Sequence, residues 1–261
     1  MSQTSYSMNM RVGTTGQIGD GYDYDALTYN NPSDEISYGR ALAKISGNDT
    51  GCKLPDASDA DIVGVAIRDV ASENDKYTVN SAVSSMRRGR IFVEVEESVT
   101  PDDPVYVRFD GKSQVQTLTF NNNFVADNII NLNIDDVAIT PVPFNTDHDT
   151  TMANLAAAIQ TSDSVGSATT PGGGSQVITI TGVSHGTDIT IDNVLVTGGA
   201  SQPVGSVAET VDAISDSSKG LFRKDDDGAA GPAATALLFS TARYLTSADS
   251  GDVALLDLNL V

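Results

Sequence analysis

From Ile91 to Glu96 the chain reads Ile-Phe-Val-Glu-Val-Glu, so Ile91, Val93 and Val95 fall on one side of an extended backbone and Glu94 and Glu96 on the other. Side chains of a strand alternate between its two faces, and the pattern predicts a strand with one buried face. After Pro101-Asp102-Asp103-Pro104 the alternation resumes, with Val105, Val107 and Phe109 on one face and Tyr106 and Arg108 expected on the opposite one. Proline presets φ and Asp hydrogen-bonds nearby main chain, which makes the four intervening residues a turn. Ile62 to Ile67 is a short apolar run, and "ATALLFS" and "DVALLDLNL" give two further strands joined by "ARYLTSADSG". Residues 1–40 are rich in Gly, Asp, Asn and Tyr and lack sustained periodicity. They read as an extended N-terminal arm with the first strands.

A second pattern fills residues 113–218. The runs "QTLTF", "NIINLNI", "VAITPVPF", "SQVITITGV" and "DITIDNVLV" are short, β-branched and separated by Asn, Gly and Pro, as strands are. One helix interrupts them: Met152, Leu155, Ala156 and Ile159 repeat at helical spacing, behind Asp149 or Thr150 as a cap. "GSATTPGGGSQ" reads as a mobile hairpin loop. Charge marks the same boundaries. No Lys or Arg occurs between Lys112 and Lys219, while that stretch carries eleven acidic residues and both histidines. The expected organisation is therefore an arm at 1–40, a β body from 41–112 plus 219–261, and an inserted acidic β domain with one helix at 113–218. An insertion of this kind sits in a surface turn whose two ends lie close together.

The formal net charge of −20 and pI near 4.1 would repel a phosphate backbone, so direct nucleic-acid binding is not expected. No apolar run is long enough for a membrane helix, and the N-terminal "MSQTSYSMNMRVG" lacks the basic start and apolar stretch of an export signal. Cys52 is the single cysteine, which leaves neither an intramolecular disulfide nor a CxxC motif.

Candidate chemistry is sparse. A serine hydrolase needs a base, for which only His148 and His185 are present, and neither accompanies a G-x-S-x-G elbow. His148 reads as a solvated residue of the helix cap and His185 as a turn residue. "GDGYDYD" and "KDDDG" cluster carboxylates but miss the EF-hand spacing. "GTTGQIG" and "PGGGS" lack the strand and helix that flank a phosphate loop. A glycosidase cleft usually carries aromatics; here there is no Trp and aromatics make up 6%. No catalytic residue, cofactor or metal site is assigned. The one basic cluster, Arg87, Arg88 and Arg90 in "MRRGR", suits an electrostatic contact with an acidic neighbour.

In order and spacing, "SYGRALAKISGNDTGCKLP", "IVGVAIRD", "MRRGRIFVEVEESVTPDDPVYVRF", "KGLFRKDDDG" and "ARYLTSADSGDVALLDLNL" resemble successive blocks of the tailed-bacteriophage structural cement, or capsid decoration, proteins. "GQIGDGYDYD" is similar to that family's N-terminal arm. The resemblance lies outside residues 113–218. It implies a mainly β protein with a barrel- or tulip-like body, located on the outer surface of a virion capsid, with the major capsid protein and its own copies in a homotrimer as partners. On that footing residues 10–24 are expected to form the arm that reaches a capsid subunit, through Arg11, Gln17, Ile18 and Tyr22, with Ile18 and Tyr22 as apolar anchors and Arg11 as a charged one. The alternative from another class is a virion-surface or secreted adhesin holding a glycan through acidic loops and calcium.

Overall fold

The computed structural model describes residues 13–19, 24–70, 74–226 and 234–260. It is mainly β. The chain forms two compact units, Met1–Asp110 with Ser218–Val261, and Gly111–Ser217. The first unit opens with β1 (Asp25–Asn31), β2 (Ile36–Ser37), β3 (Ala41–Ile45), β4 (Asn48–Lys53), β5 (Ile62–Ala66), β6 (Lys76–Tyr77), β7 (Ser81–Glu94) and β8 (Tyr106–Arg108). The second unit holds β9 (Ser113–Phe120), β10 (Ile129–Ile134), β11 (Val137–Ala138), β12 (Val142–Pro143), α1 (His148–Ile159), β13 (Val165–Thr169), β14 (Val177–His185), β15 (Ile191–Thr197) and β16 (Gly205–Val211). The first unit then closes with β17 (Phe222–Arg223), β18 (Ala236–Leu238), β19 (Ala242–Tyr244) and β20 (Val253–Asn259).

Five strands of the first unit make a barrel-like ring, in the order β1-β4-β3-β5-β7, closed by β7 pairing back to β1. β7 does two jobs. Its first half pairs with β1 and β5, and its second half pairs with β20, which in turn carries β19. Gly89 stands between the halves at φ 117°, where a Cβ would lie 2.8 Å from that of Tyr24. The alternation expected from Ile91 onward is real: Ile91, Val93 and Val95 are fully buried among residues of β5 and β20. The strands on either side of the proline-bounded turn do not pair with each other. β8 is instead the centre of a separate sheet, β17-β8-β18, and Asp103 pins the turn by accepting the Thr100 N–H at 2.7 Å.

In the second unit the sheet β13-β14-β9-β16 and the strands gathered around β10 (β11 and β12, with β15 opposite) share one apolar core with α1. β9 alternates along its whole length, with Gln114, Gln116, Leu118 and Phe120 buried. The unit begins and ends side by side: Lys112 and Ile214 exchange N–H···O bonds of 2.8 and 2.9 Å. Strand β13 lies in the stretch expected to be a loop, and β16 and β19 occupy stretches in which no strand was expected.

The helix carries the expected buried positions Met152, Leu155, Ala156 and Ile159, but its cap is Asp147, two residues ahead of the earlier candidate. Asp147 accepts the Thr150 N–H at 2.7 Å, and this bond holds its carboxyl below the usual carboxylate range. A folded value below the unfolded one stabilises the native state above the unfolded value, and the contribution disappears as pH falls through the folded one. Asp147→Ala is expected to lower the unfolding midpoint of full-length protein at neutral pH, with the difference shrinking on acidification below about pH 4. Asp147→Asn, which still caps, should keep most of the neutral-pH midpoint. Circular dichroism melts across pH read both effects.

Candidate functional site

Residues 13–19 run antiparallel to the second half of β7. Gly16 N–H donates to the Phe92 carbonyl (2.7 Å), Phe92 N–H to that of Gln17 (2.9 Å) and Gly19 N–H to that of Arg90 (2.8 Å). This part of the stretch expected as an arm is extended, yet its backbone is paired with the same chain. Ile18 bridges Ile91 and packs, half-buried, on the body core. Gln17 is exposed and its side-chain carbonyl accepts the Thr14 N–H. Arg11 and Tyr22 lie outside the described residues, as does part of both acidic strings, "GDGYDYD" and "KDDDG".

Across the same strand stands the basic cluster. Arg88 and Arg90 are exposed, and Arg87 is half-buried with a guanidinium nitrogen 3.8 Å from an Asp25 carboxylate oxygen. Arg88, Gly89 and Arg90 line a groove of about 690 Å³ together with residues 240–243 and 257–259. Arg243 and Asp257 pair on it at 2.9 Å. The sequence brings these residues together because β19, β20 and β7 are consecutive in one sheet. The groove is open to solvent, and most of the residues that line it are polar.

Beneath the proline-bounded turn lies a cluster that alternation alone conceals. Arg108 was expected on the face opposite the core, but it is fully buried. Glu96 explains the burial: its carboxylate accepts two bonds from Arg108 Nε, at 2.6 and 2.8 Å, and a third from Arg223 Nη1 at 3.2 Å. Arg108 Nη1 also donates to Thr235 Oγ1 at 2.8 Å, and Arg223 Nη2 reaches Asp225 at 2.7 Å. Tyr244 donates its hydroxyl to the Arg223 carbonyl at 3.0 Å, and burial, with the charges of Glu97 and Asp103 adding, pushes its phenol far above the ordinary value. Three stretches far apart in sequence are thus tied by charge-assisted bonds. The signal available beforehand was the parity of Glu96 and Arg108, each on the polar side of its strand.

The histidines are placed differently from expectation. His148 is buried rather than solvated: Phe124 N–H donates to its Nδ1 at 3.0 Å, so Nε2 carries the proton and donates to the Ser175 carbonyl at 3.0 Å. Both ring nitrogens are committed to backbone. His185 ends β14, with Nδ1 3.0 Å from an Asp216 oxygen. Cys52 is fully buried, and desolvation, with the charge of Asp34 adding, pushes its thiol up to about 11. Native protein at pH 8 is therefore expected to resist iodoacetamide and to be alkylated once unfolded in urea; mass spectrometry of the two samples checks this. Among the described residues no helix is long and apolar enough to cross a membrane.

A family whose description reads "Structural cement protein (E217 gp24/Pam3 gp6)" matches residues 2–157, well over half the chain. The chain belongs to the phage structural cement proteins. Membership assigns it a structural role in association with the phage capsid and a place in the virion. The matched range takes in β9 to α1, which the sequence resemblance left out, and does not include 219–261, which it took in. Among solved structures, the cement protein aligns with a chain of "The capsid of Myoviridae Phage XM1" at 10% identity and a TM-score of 0.47, covering 100% of this chain and 99% of that one. It aligns with a chain from "Mycobacterium phage Patience" at 15% identity and a TM-score of 0.41, covering 93% and 94%. No curated protein matches.

Proposed function

We propose that the protein binds the outer surface of a phage head as a homotrimer, bridges neighbouring major capsid protein subunits and strengthens the head against the pressure of packaged DNA. The observation that carries this reading is the family match over residues 2–157. The work is binding, without turnover and without direct contact to nucleic acid or membrane. A barrel-like body whose turn is locked by buried charge pairs suits it, because a preorganised surface loses little conformational entropy on docking.

The contact surface in this proposal joins the arm, at Arg11, Gln17, Ile18 and Tyr22, to the basic cluster of Arg87, Arg88 and Arg90. What supports the grouping is that residues 13–19 pair with the second half of β7, the strand that carries the cluster. Interfaces on the order of 1,600 Å² give useful affinity singly. A trimer holding several capsid subunits adds effective concentration, so modest contacts release slowly. The acidic inserted domain, residues 113–218, serves as the solvent-facing part, where like charge keeps heads apart at low salt.

The test adds purified protein to mature heads that lack it. Cryo-electron microscopy should show regular threefold density bridging capsid subunits, and decorated heads should retain DNA to higher temperature than bare ones. The double variant Arg88→Ala/Arg90→Ala is expected to bind more weakly and with a shallower salt dependence. Heads that stay bare at saturating protein would refute the proposal.

A further inference from the structure

The string "GTTGQIG", Gly13 to Gly19, does not make a phosphate loop, and its three glycines have another reason for standing where they do. Each marks a point where the N-terminal segment lies too close to the body for a side chain. A Cβ on Gly13 would meet the Phe92 ring at 2.2 Å, and one on Gly19 would meet Leu255 Cδ1 at 2.5 Å. Gly16 is enclosed by main chain. Its Cβ would lie 2.7 Å from that of Tyr38 and 2.9 Å from the backbone nitrogens of Arg68 and Gly39.

Gly16 also makes the bend that brings the segment in. Gln17 N–H donates to the Thr14 carbonyl at 3.0 Å, and Gly16, third of these four residues, stands at φ 75°, the sign that a type II turn requires there. The turn is seated on the body. Gly16 N–H donates to the Phe92 carbonyl and the Gly16 carbonyl accepts the Arg68 N–H, both at 2.7 Å. Gly39, at φ 76°, backs onto the turn: a Cβ there would lie 2.9 Å from the Gly16 nitrogen and 3.2 Å from Thr15 Cβ. Two glycines from separate stretches thus face each other across one contact. Ile18 packs on the body core, Gln17 is exposed, and Arg11 stands two residues ahead of Gly13 in sequence.

We infer that this seat positions the capsid-contact arm: residues 13–19 stay docked on the body when the protein binds a head, and Gly16 and Gly39 are the positioning residues. The inference rests on the capsid-binding proposal and deepens it. A free arm loses conformational entropy when it meets the shell, whereas a seated one has lost it already on folding. The residues that contact the shell then start from a fixed point, and every copy presents them alike. Within the segment the work is divided, since Ile18 holds it to the body and Gln17 faces outward.

Gly16→Ala tests the seat, because the added Cβ collides with backbone while the altered residue lies outside the barrel-like ring. Co-sedimentation of labelled full-length protein with heads that lack it should show affinity about tenfold or more weaker, with the urea midpoint of the body close to the parent's. A lock supplies the second arm. Gly13→Cys/Phe92→Cys puts one sulfur near the place of Phe92 Cγ, 2.5 Å from the Gly13 Cβ position, which is close enough for a disulfide. In the parent background the oxidised lock should bind heads like the parent. Added to Gly16→Ala it should restore most of the lost binding and surrender it again on reduction, a response that a merely destabilising substitution would not give. Undiminished binding by Gly16→Ala would overturn the inference, and so would loss of binding by the oxidised lock in the parent background, because the segment would then have to leave its seat. In both cases the parent still decorates heads and the capsid proposal stands; bare heads with the parent refute the two together.

Discussion

Arg108→Ala should destabilise the body by about 3–5 kcal/mol, the usual consequence of removing one partner from a buried ion pair. The side chain is fully buried and Glu96 is nearly so, at 12% exposure. Removing the guanidinium leaves a cavity, takes two short bonds from the Glu96 carboxylate and removes the bond to the Thr235 hydroxyl. Arg223 remains beside Glu96 and limits the damage, since the carboxylate keeps one cation at 3.2 Å. The informative control is Arg243→Ala. That pair with Asp257 is similarly short, but Arg243 is 69% exposed, and such pairs contribute about 0–1 kcal/mol. Urea unfolding of both variants against the parent measures the contrast, and equal losses would show that the Glu96 cluster is no anchor.

Gly64→Ala should be comparably severe, at about 3–5 kcal/mol, from overpacking together with a backbone conformation that L-residues rarely adopt. Gly64 lies in the middle of β5 at φ 149°. An added Cβ would stand 2.2 Å from Ser85 Oγ and 2.4 Å from the Met86 carbonyl oxygen, so backbone as well as side chain must move. Both obstacles belong to β7, and β5–β7 is one of the seams that close the ring. The expected result is a lower melting temperature with loss of cooperativity in the body. Gly47→Ala makes the comparison: it shares a positive φ but has nothing within 4 Å of its Cβ, so it reports strain without collision.

The parts of the fold legible in the sequence are those where one buried face imposes a simple period. Ile91-Val93-Val95 and the stripe Met152-Leu155-Ala156-Ile159 are such cases, and all seven side chains are buried. Three kinds of feature escaped. Strand β1 pairs along seven residues with β7 yet shows exposed side chains at Asp25, Ala26, Leu27 and Thr28, so no apolar alternation betrays it. Arg108 defeats the rule that polar means outside, because its neutralising partner, Glu96, lies across the turn and its other neighbours come from beyond the inserted unit. His148 escaped for a related reason: its two backbone partners, at Phe124 and Ser175, are local to the fold but not to the sequence. At the proposed contact surface, the basic string Arg87-Arg88-Arg90 could be read directly, whereas its groove could not, since residues 240–243 and 257–259 reach it only through sheet order.

The bonds between Lys112 and Ile214 bear on how the molecule is made. β7 and β20 are partners at the centre of the body, yet the whole of Gly111–Ser217 is synthesised between them. Closing so long a loop is slow, and meanwhile the apolar edge of β7 is open to wrong partners. If Gly111–Ser217 folds first, on its own core, the Lys112–Ile214 pairing brings its two ends together and the effective loop collapses to the short segments flanking it. The inserted unit then acts as a folding clamp, and refolding kinetics of the body should slow when that unit's core is loosened by Leu155→Ala, even though Leu155 lies in a different core from β7.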